Sequence, residues 1–447
     1  LVQKAPRSTG LFFPVFIPHQ TFKNYYPQSM NLFKKSSFIL CVSALFLRIT
    51  SCQEKNLVPF QDGWEEYPSL SQGLNNTEKY QVQIIYTRID RNEHGNPLFT
   101  DFSFNLDDKH YFYPASTVKL PIALLALEWL EEQKIEGLSL ETTLLTDSVR
   151  PSQIPANVDK SSETGLPSIG HYIKKILLVS DNDASNRLFE VLGMDYINTK
   201  LREKGLLHSV ITQRLSFPIS PEENRYFNPV KFVDKSGKTL LEIPERHTDS
   251  AYSVPGSPKI GKAYYRGDSL IEGPMDFSFK NKFPLSDLHG VVKRIVFPSA
   301  FFESEQFHIS EEHRNFILKH MSMLPRESKF PQYDPDEFYD GYSKFFKFGA
   351  SKDSIPSNFR VFNKTGWSYG YLIDGAYFVD LDSKVEFLVS AVVYANEDQI
   401  LNDDKYEYEE LGLPFFTELG EYLYQMELKR KKQIAPDFSG MTFSYKD

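Results

Sequence analysis

Cysteine is nearly absent from this chain. Two occur in 447 residues, Cys41 and Cys52, both near the start. The folded body therefore has no disulfide framework and no thiolate metal site. Long basic runs are missing as well, and the formal net charge is −9, which argues against nucleic acid or another polyanion as partner. No glycine-rich loop of the kind that cradles phosphate is present. His308, His313 and His320 fit no tight ligand spacing, so neither a metal nor a cofactor is expected. What remains is an ordinary globular balance, 41% hydrophobic and 24% charged, in a chain long enough for two domains or one large domain with insertions. The 37 Phe and 25 Tyr are scattered along it, a pattern of core residues rather than of a stacking surface.

The first residues read as an address. From Met30 the chain runs MNLFKKSSFILCVSALFLRITSC, with Lys34 and Lys35 ahead of an apolar stretch and small residues before Cys52. That is the layout of a secretory signal. ITSC resembles a bacterial lipoprotein box, which implies lipidation of Cys52 and an exported protein held on a bacterial membrane, facing the periplasm or cell surface. Arg48 interrupts the apolar stretch, and a short spanning anchor is the alternative. About ten apolar residues are too few to cross a bilayer.

The chain divides into residues 1–29 upstream of the true start, 30–52 as a lipoprotein-type signal segment and 53–79 as a tether. Residues 80–115 with 340–432 form a sheet domain, 116–339 a helical domain with a loop-rich insertion at about 216–290, and 433–447 a tail. Alternating, β-branched QVQIIYTRID predicts a strand, HGNP a turn and LFTDFSF a second strand. LPIALLALEWLEE, apolar on all sides, predicts a helix at the centre of a domain. Helical spacing follows at 166–203, and again at SDLHGVVKRIVF and SEEHRNFILKHMSML. Residues 216–290 predict loops with at most a hairpin. FRVFNKTGWSYG, YLIDGAYFVDL and VEFLVSAVVYA predict an antiparallel meander, closed by an amphipathic helix at PFFTELGEYLYQMELKRKK. The fold class is α+β: an antiparallel sheet built from both chain ends, flanked by helices, with an inserted all-α domain.

Three short patterns stand in order along these elements. Ser116 and Lys119 make a Ser-x-x-Lys at a helix entrance. Ser180, Asp181 and Asn182 stand at a helix junction, and Lys364, Thr365 and Gly366 lie in a strand. A serine hydroxyl needs a base within reach to act as a nucleophile. Lys119 serves as that base only if burial or a second cation destabilises its ammonium, and Lys364 is the candidate cation. The set resembles the class A β-lactamases and penicillin-binding proteins, over roughly residues 80–430.

The resemblance implies a β-lactamase/transpeptidase-like fold and an acyl-enzyme on Ser116, formed with a β-lactam or a peptidoglycan-like acyl substrate. It implies that Ser180 relays a proton to the leaving group and that Asn182 binds the substrate amide and helps hold Lys119. Asp181 is then structural, Lys364 and Thr365 bind a substrate carboxylate, and Gly366 lets substrate lie close to the strand. The backbone N–H groups of Ser116 and Trp367 form an oxyanion hole.

The chain departs from that family in three places. The loop glutamate that activates the deacylating water has its nearest match in SPEEN, where Ser220 takes its position and Glu222 or Glu223 reaches in only if the loop shifts. Trp367 stands where a small residue is usual. Ser180 and Lys364 are also farther apart in the chain than in family members, so the insertion is expected to border the cleft. The sequence therefore predicts a lipid-anchored, monomeric serine hydrolase of β-lactamase type. Its alternatives are a penicillin-binding peptidase or esterase with slow deacylation, or a non-catalytic envelope protein that binds such ligands.

Overall fold

A computed structural model of the chain describes residues 59–445. The signal segment, with Cys41 and Cys52, lies outside them. The first described elements are two short helices, α1 (Pro68–Asn75) and α2 (Thr77–Tyr80). Pro68 occupies the first helical position, where a missing N–H leaves nothing unpaired. Leu70 and Leu74 lie on one face and are buried, while Glu418 accepts from the Ser69 and Leu70 amides at 2.7 and 2.9 Å. Residues expected as tether up to 79 are thus part of the folded body from α1 onward. An eight-residue helix with two leucines carries too little periodicity to stand out in sequence.

β1 (Gln83–Arg91) and β2 (Pro97–Phe104) form the first hairpin. A 3₁₀ turn, Ala115–Val118, then runs straight into α3 (Lys119–Gln133). Every residue of α3 from Lys119 to Leu130 is buried, as its apolar circumference requires. The α-helix proper begins at Lys119, and Ser116 sits in the tighter turn ahead of it. Residues three apart eclipse in a 3₁₀ turn, so both side chains still face one way. β3 (Thr143–Thr146) precedes α4 (Ile169–Val179), α5 (Asn182–Leu192) and α6 (Met194–Glu203), which pack with α3.

The insertion is more ordered than its sequence suggests. It carries β4 (Tyr226–Phe227), β5 (Val230–Val233), β6 (Thr239–Ile243), β7 (Arg246–His247), β8 (Lys259–Ile260), β9 (Ala263–Arg266), β10 (Ser269–Glu272) and β11 (Met275–Asp276). These strands pair as small ladders, and β5 also joins β3. Strands of two to five residues give no readable alternation, which is why the stretch looks like loops. Helices α7 (Leu285–Val296) and α8 (Glu311–Ser322) follow, then the short turn α9 (Phe345–Phe348).

β12 (Phe359–Ser368), β13 (Tyr371–Asp380) and β14 (Val385–Tyr394) complete a five-stranded antiparallel sheet in the order β12-β13-β14-β1-β2. The sheet is therefore drawn from both ends of the chain, as the sequence predicts. β15 (Ile400–Leu401) and α10 (Leu413–Lys429) follow, and a 3₁₀ turn at Ser439–Met441 comes last. Every residue of β13 and β14 is buried, because both faces of the sheet are covered. Leu388 and Val392 point into the core that holds α3 and α7. Their neighbours Phe387, Val389, Ala391 and Val393 pack on the opposite side with α1, α9 and α10. Phe438, in the expected tail, also joins the α3 core.

Leu70→Ala tests whether α1 belongs to the fold. Loss of a fully buried leucine should cost about 2–4 kcal/mol in a urea melt, whereas a residue in a tether would cost nothing measurable.

Candidate functional site

The 3₁₀ turn brings Ser116 to the free edge of the sheet. Ala115, just before it, has φ +48°, a backbone region that non-glycine residues enter at a cost of about 1–2 kcal/mol. Such strain persists where surrounding contacts fix the chain, and here Thr117 bonds back to Pro114 through both its amide (3.1 Å) and its hydroxyl (2.7 Å).

Lys119 is fully buried, and its ammonium is held by neutral oxygens only. It donates to Asn182 Oδ1 at 2.7 Å, to Ser180 Oγ at 3.3 Å and to the Ser180 carbonyl. Burial first, and then the Lys364 cation, push its pKa well below the ordinary lysine value, against the pull of Asp181. Ser180 caps α4 in the left-handed conformation, φ +63°, which turns both its carbonyl and its hydroxyl toward Lys119. Asp181 caps α5 and accepts from the Ala184 amide at 2.8 Å, a structural role. Asn182, the first residue of α5, uses its other amide end to donate to Ser216 Oγ at 3.0 Å.

Lys364 enters from β12. Its ammonium donates to Ser180 Oγ at 2.8 Å and to the Thr365 carbonyl at 2.7 Å. Burial lowers its pKa to about 7, with Asp374 opposing and Lys344 adding to the fall. Behind it lies a second buried set. Asn363 donates to Asp374 at 2.9 Å and accepts from Lys344 at 2.7 Å, and Asp374 is itself raised to about 7 by burial. The Ser180 hydroxyl therefore lies between two amines from opposite ends of the chain.

β12 meets the Ser116 turn backbone to backbone. A Cβ on Gly366 would stand 2.8 Å from the Ser116 amide nitrogen, 2.9 Å from the Pro114 oxygen and 3.0 Å from the Thr117 nitrogen. Gly366 is thus needed for the packing of strand on turn. Ser368 and Tyr371 close the hairpin around Tyr369 and Gly370, both at positive φ. Paired and unpaired amides alternate from that closing pair, which leaves the Trp367 N–H off the ladder, on the free edge beside Ser116. The two N–H groups named for an oxyanion hole thus lie on neighbouring backbone segments.

Ser116, Ser180 and Asn182 line one cavity of about 590 Å³ with Ser216, Lys280 and Tyr369. Trp367 is 40% exposed at its edge, while Thr365 is buried in β12 outside the lining. Among the described residues no carboxylate lines this cavity. The deacylation candidates are not brought there. Glu223 is held by Arg150 and Ser152, and Glu222 by Arg225. Ser220 caps the Glu223 amide and, with Glu222, borders a different cavity beside Tyr252 and Phe279. The chain passes the site earlier, at Leu215–Pro218, where Ser216 has φ +50° and faces Asn182. Sequence alone separates Ser216 from Ser220 by nothing but loop register. It also gives no signal for Lys280 or Tyr369, which reach the cavity from the insertion and from a hairpin tip. Among the described residues no cluster of His, Cys, Asp and Glu is placed to hold a metal.

Residues 72–240, which include Ser116, Lys119, Ser180 and Asn182, match the family model described as the β-lactamase enzyme family. The architecture is α+β, with the antiparallel sheet drawn from both chain ends. Similar solved structures include a β-lactamase from Sphaerobacter thermophilus, 13% identical over 82% of this chain and 98% of that one, with a TM-score of 0.46. A β-lactamase from Burkholderia phymatum is 13% identical over 81% and 97%, TM-score 0.43. A protein described as PBP-A is 15% identical over 80% and 95%, TM-score 0.43. No curated relative matches the chain. Lys364 lies beyond the matched segment, and its place beside Ser180 rests on the geometry above.

Gly366→Ala should cost about 1–3 kcal/mol in a denaturant melt, because backbone atoms on both sides must part. It should also slow labelling of Ser116 by a fluorophosphonate. A variant that keeps parental stability and labelling would remove the strand-to-turn contact from the account.

Proposed function

We propose that this protein is a serine hydrolase of β-lactamase-like type, which forms an acyl-enzyme on Ser116 with a β-lactam or a related cell-wall acyl substrate. The observation that carries this reading is Lys119. A fully buried ammonium held only by neutral oxygens gives up its proton readily. Neutral Lys119 accepts the Ser116 proton as Oγ attacks the carbonyl carbon, and the Ser116 and Trp367 N–H groups receive the developing negative charge. When the amide C–N bond breaks, the proton passes through Ser180, which lies between Lys119 and Lys364, to the leaving nitrogen. The positive charge on Lys364 suits a substrate carboxylate.

A second reading has its own support. Without a carboxylate along the cavity, no side chain there is an obvious base for the water that releases the acyl group. Slow deacylation, as in a penicillin-binding enzyme, follows. The signal-like segment ending at Cys52 supports export and a lipid anchor, and labelled palmitate retained by the parent and lost in Cys52→Ser would test it.

Incubation of the protein with benzylpenicillin, followed by intact mass, tests both readings. An opened β-lactam stays attached, so the mass should rise by the whole mass of the probe and the adduct should persist. Rapid return to the starting mass would favour an efficient β-lactamase. No adduct with β-lactams or activated esters, and a Ser116→Ala variant indistinguishable from the parent, would leave only a binding protein.

The acylation rate constant should be bell-shaped in pH. It rises as Lys119 loses its proton and falls as Lys364 loses its charge, near pH 7. Lys364→Arg stays charged and should remove the alkaline limb. A limb that does not move belongs to another group.

A further inference from the structure

A second cavity, of about 580 Å³, opens on the far side of the Trp367–Ser368–Tyr369 hairpin and shares those three residues with the first. Its other walls come from two distant places. Tyr265 is on β9, inside the insertion, and Asn402, Asp404, Tyr406 and Tyr408 follow β15. β15 pairs with β9 in parallel, Ile400 with Ala263 and Leu401 with Tyr264, and Asn402 donates to the Tyr265 carbonyl at 3.1 Å. The insertion thus builds one wall of a bay that adjoins the Ser116 cavity across shared residues.

The two bays differ in charge. Arg214 and Lys280 are the charged residues along the catalytic bay. Arg214 is committed to Glu190 at 3.0 Å, whereas Lys280 leans on the Tyr369 ring. Along the second bay Asp404 is the sole charged residue, and among the described residues no hydrogen bond or ion pair engages its carboxylate. Most of the rest of the wall is aromatic, from Tyr265, Trp367, Tyr369, Tyr406 and Tyr408. Trp367 stacks on Tyr408 with ring centroids 5.6 Å apart, and Tyr406 on Tyr408 at 5.0 Å. Tyr406 and Tyr408 accept from the Asn402 and Gly370 amides, and burial raises both phenols, so they stay neutral. Neutral aromatic rings around one exposed carboxylate form an environment for an organic cation. The neighbouring segment adds to that field, with Asp398, Asp403, Glu407, Glu409 and Glu410 against a single Lys405.

We propose that the second bay is a specificity subsite for an organic ammonium group, so that the favoured acyl substrate is extended and carries an amine beyond the scissile carbonyl. This rests on the acyl-enzyme reading for the identity of the bond that reacts, and on the bay alone for the amine. A substrate with a carboxylate toward Lys364 and an ammonium toward Asp404 would match the cleft at both ends.

Two thioesters of equal length test the proposal, one ending in a primary ammonium and the other in an acetamide, with a short acetyl thioester as reference. In reaction the acyl group moves to Ser116 Oγ, and the thiol departs with the proton that Ser116 gave up. The ammonium probe should acylate about tenfold faster than the acetamide at low salt. Asp404→Asn should remove that preference and leave the reference rate unchanged. Tryptophan fluorescence of a Ser116→Ala variant supplies a second readout without chemistry, and there too the ammonium probe should bind about tenfold tighter, again through Asp404. Equal rates and equal binding for the two long probes, with normal labelling by the reference, would overturn the subsite and leave the serine chemistry standing. Ammonium-selective binding to Ser116→Ala without any adduct on the parent would uphold the subsite and overturn the acyl-enzyme.

Discussion

The site depends on keeping lysine ammonium groups out of water without giving them carboxylates. Lys119 has a carbonyl, a hydroxyl and an amide oxygen as partners, and Lys364 a hydroxyl and a carbonyl. Neutral acceptors satisfy the N–H groups, while desolvation presses both amines toward their uncharged forms, helped by the Lys364 cation at Lys119 and by the Lys344 cation at Lys364. Had the fold supplied an aspartate in direct contact, the base would be locked as a cation. The acid that does lie near, Asp374, stands one layer back, joined to Lys344 through Asn363, and is itself pushed toward the protonated state. Lys364, Lys344 and Asp374 are each brought to about 7, and Lys119 is lowered like the other two lysines.

Much of this was legible in the sequence because its signals are local. A helix apolar on all sides has to be central, and three consecutive strands with short turns have to form a meander. Ser-Asp-Asn suits a helix junction for a physical reason: Ser180 ends α4, Asp181 caps α5, and Asn182 begins it. Other parts were hidden because they depend on partners far away in the chain. Nothing near Gly366 says that it must pack on the Ser116 turn. Ser220 matches the glutamate position by neighbourhood in sequence, yet loop register places Ser216 at the site instead. β9 and β15 are too short to announce themselves, and β15 pairs with β9 from far away in the chain.

One hairpin organises the cleft. Tyr369 and Gly370 form the tight turn between β12 and β13, where an aromatic residue at φ +53° is an unfavourable choice for the turn alone. The Tyr369 ring packs edge-on to Tyr113 at 5.0 Å and to Phe277 at 5.2 Å, which fixes the hairpin tip against the insertion. That tip is the partition between the cationic and the acidic bay. The strand that carries Lys364 thus also sets what can lie on either side of it.

The placement of β1 beside β14 has a consequence for biogenesis. Gln83 pairs with Val392, so an early strand waits for one made much later. Until then its edge is bare, and the amine of Lys364 does not yet exist beside the serine. A nascent or truncated chain therefore lacks the assembled site, which forms only once translation and closure of the sheet are complete. Such a long wait also makes maturation slow and exposes an adhesive strand edge in transit.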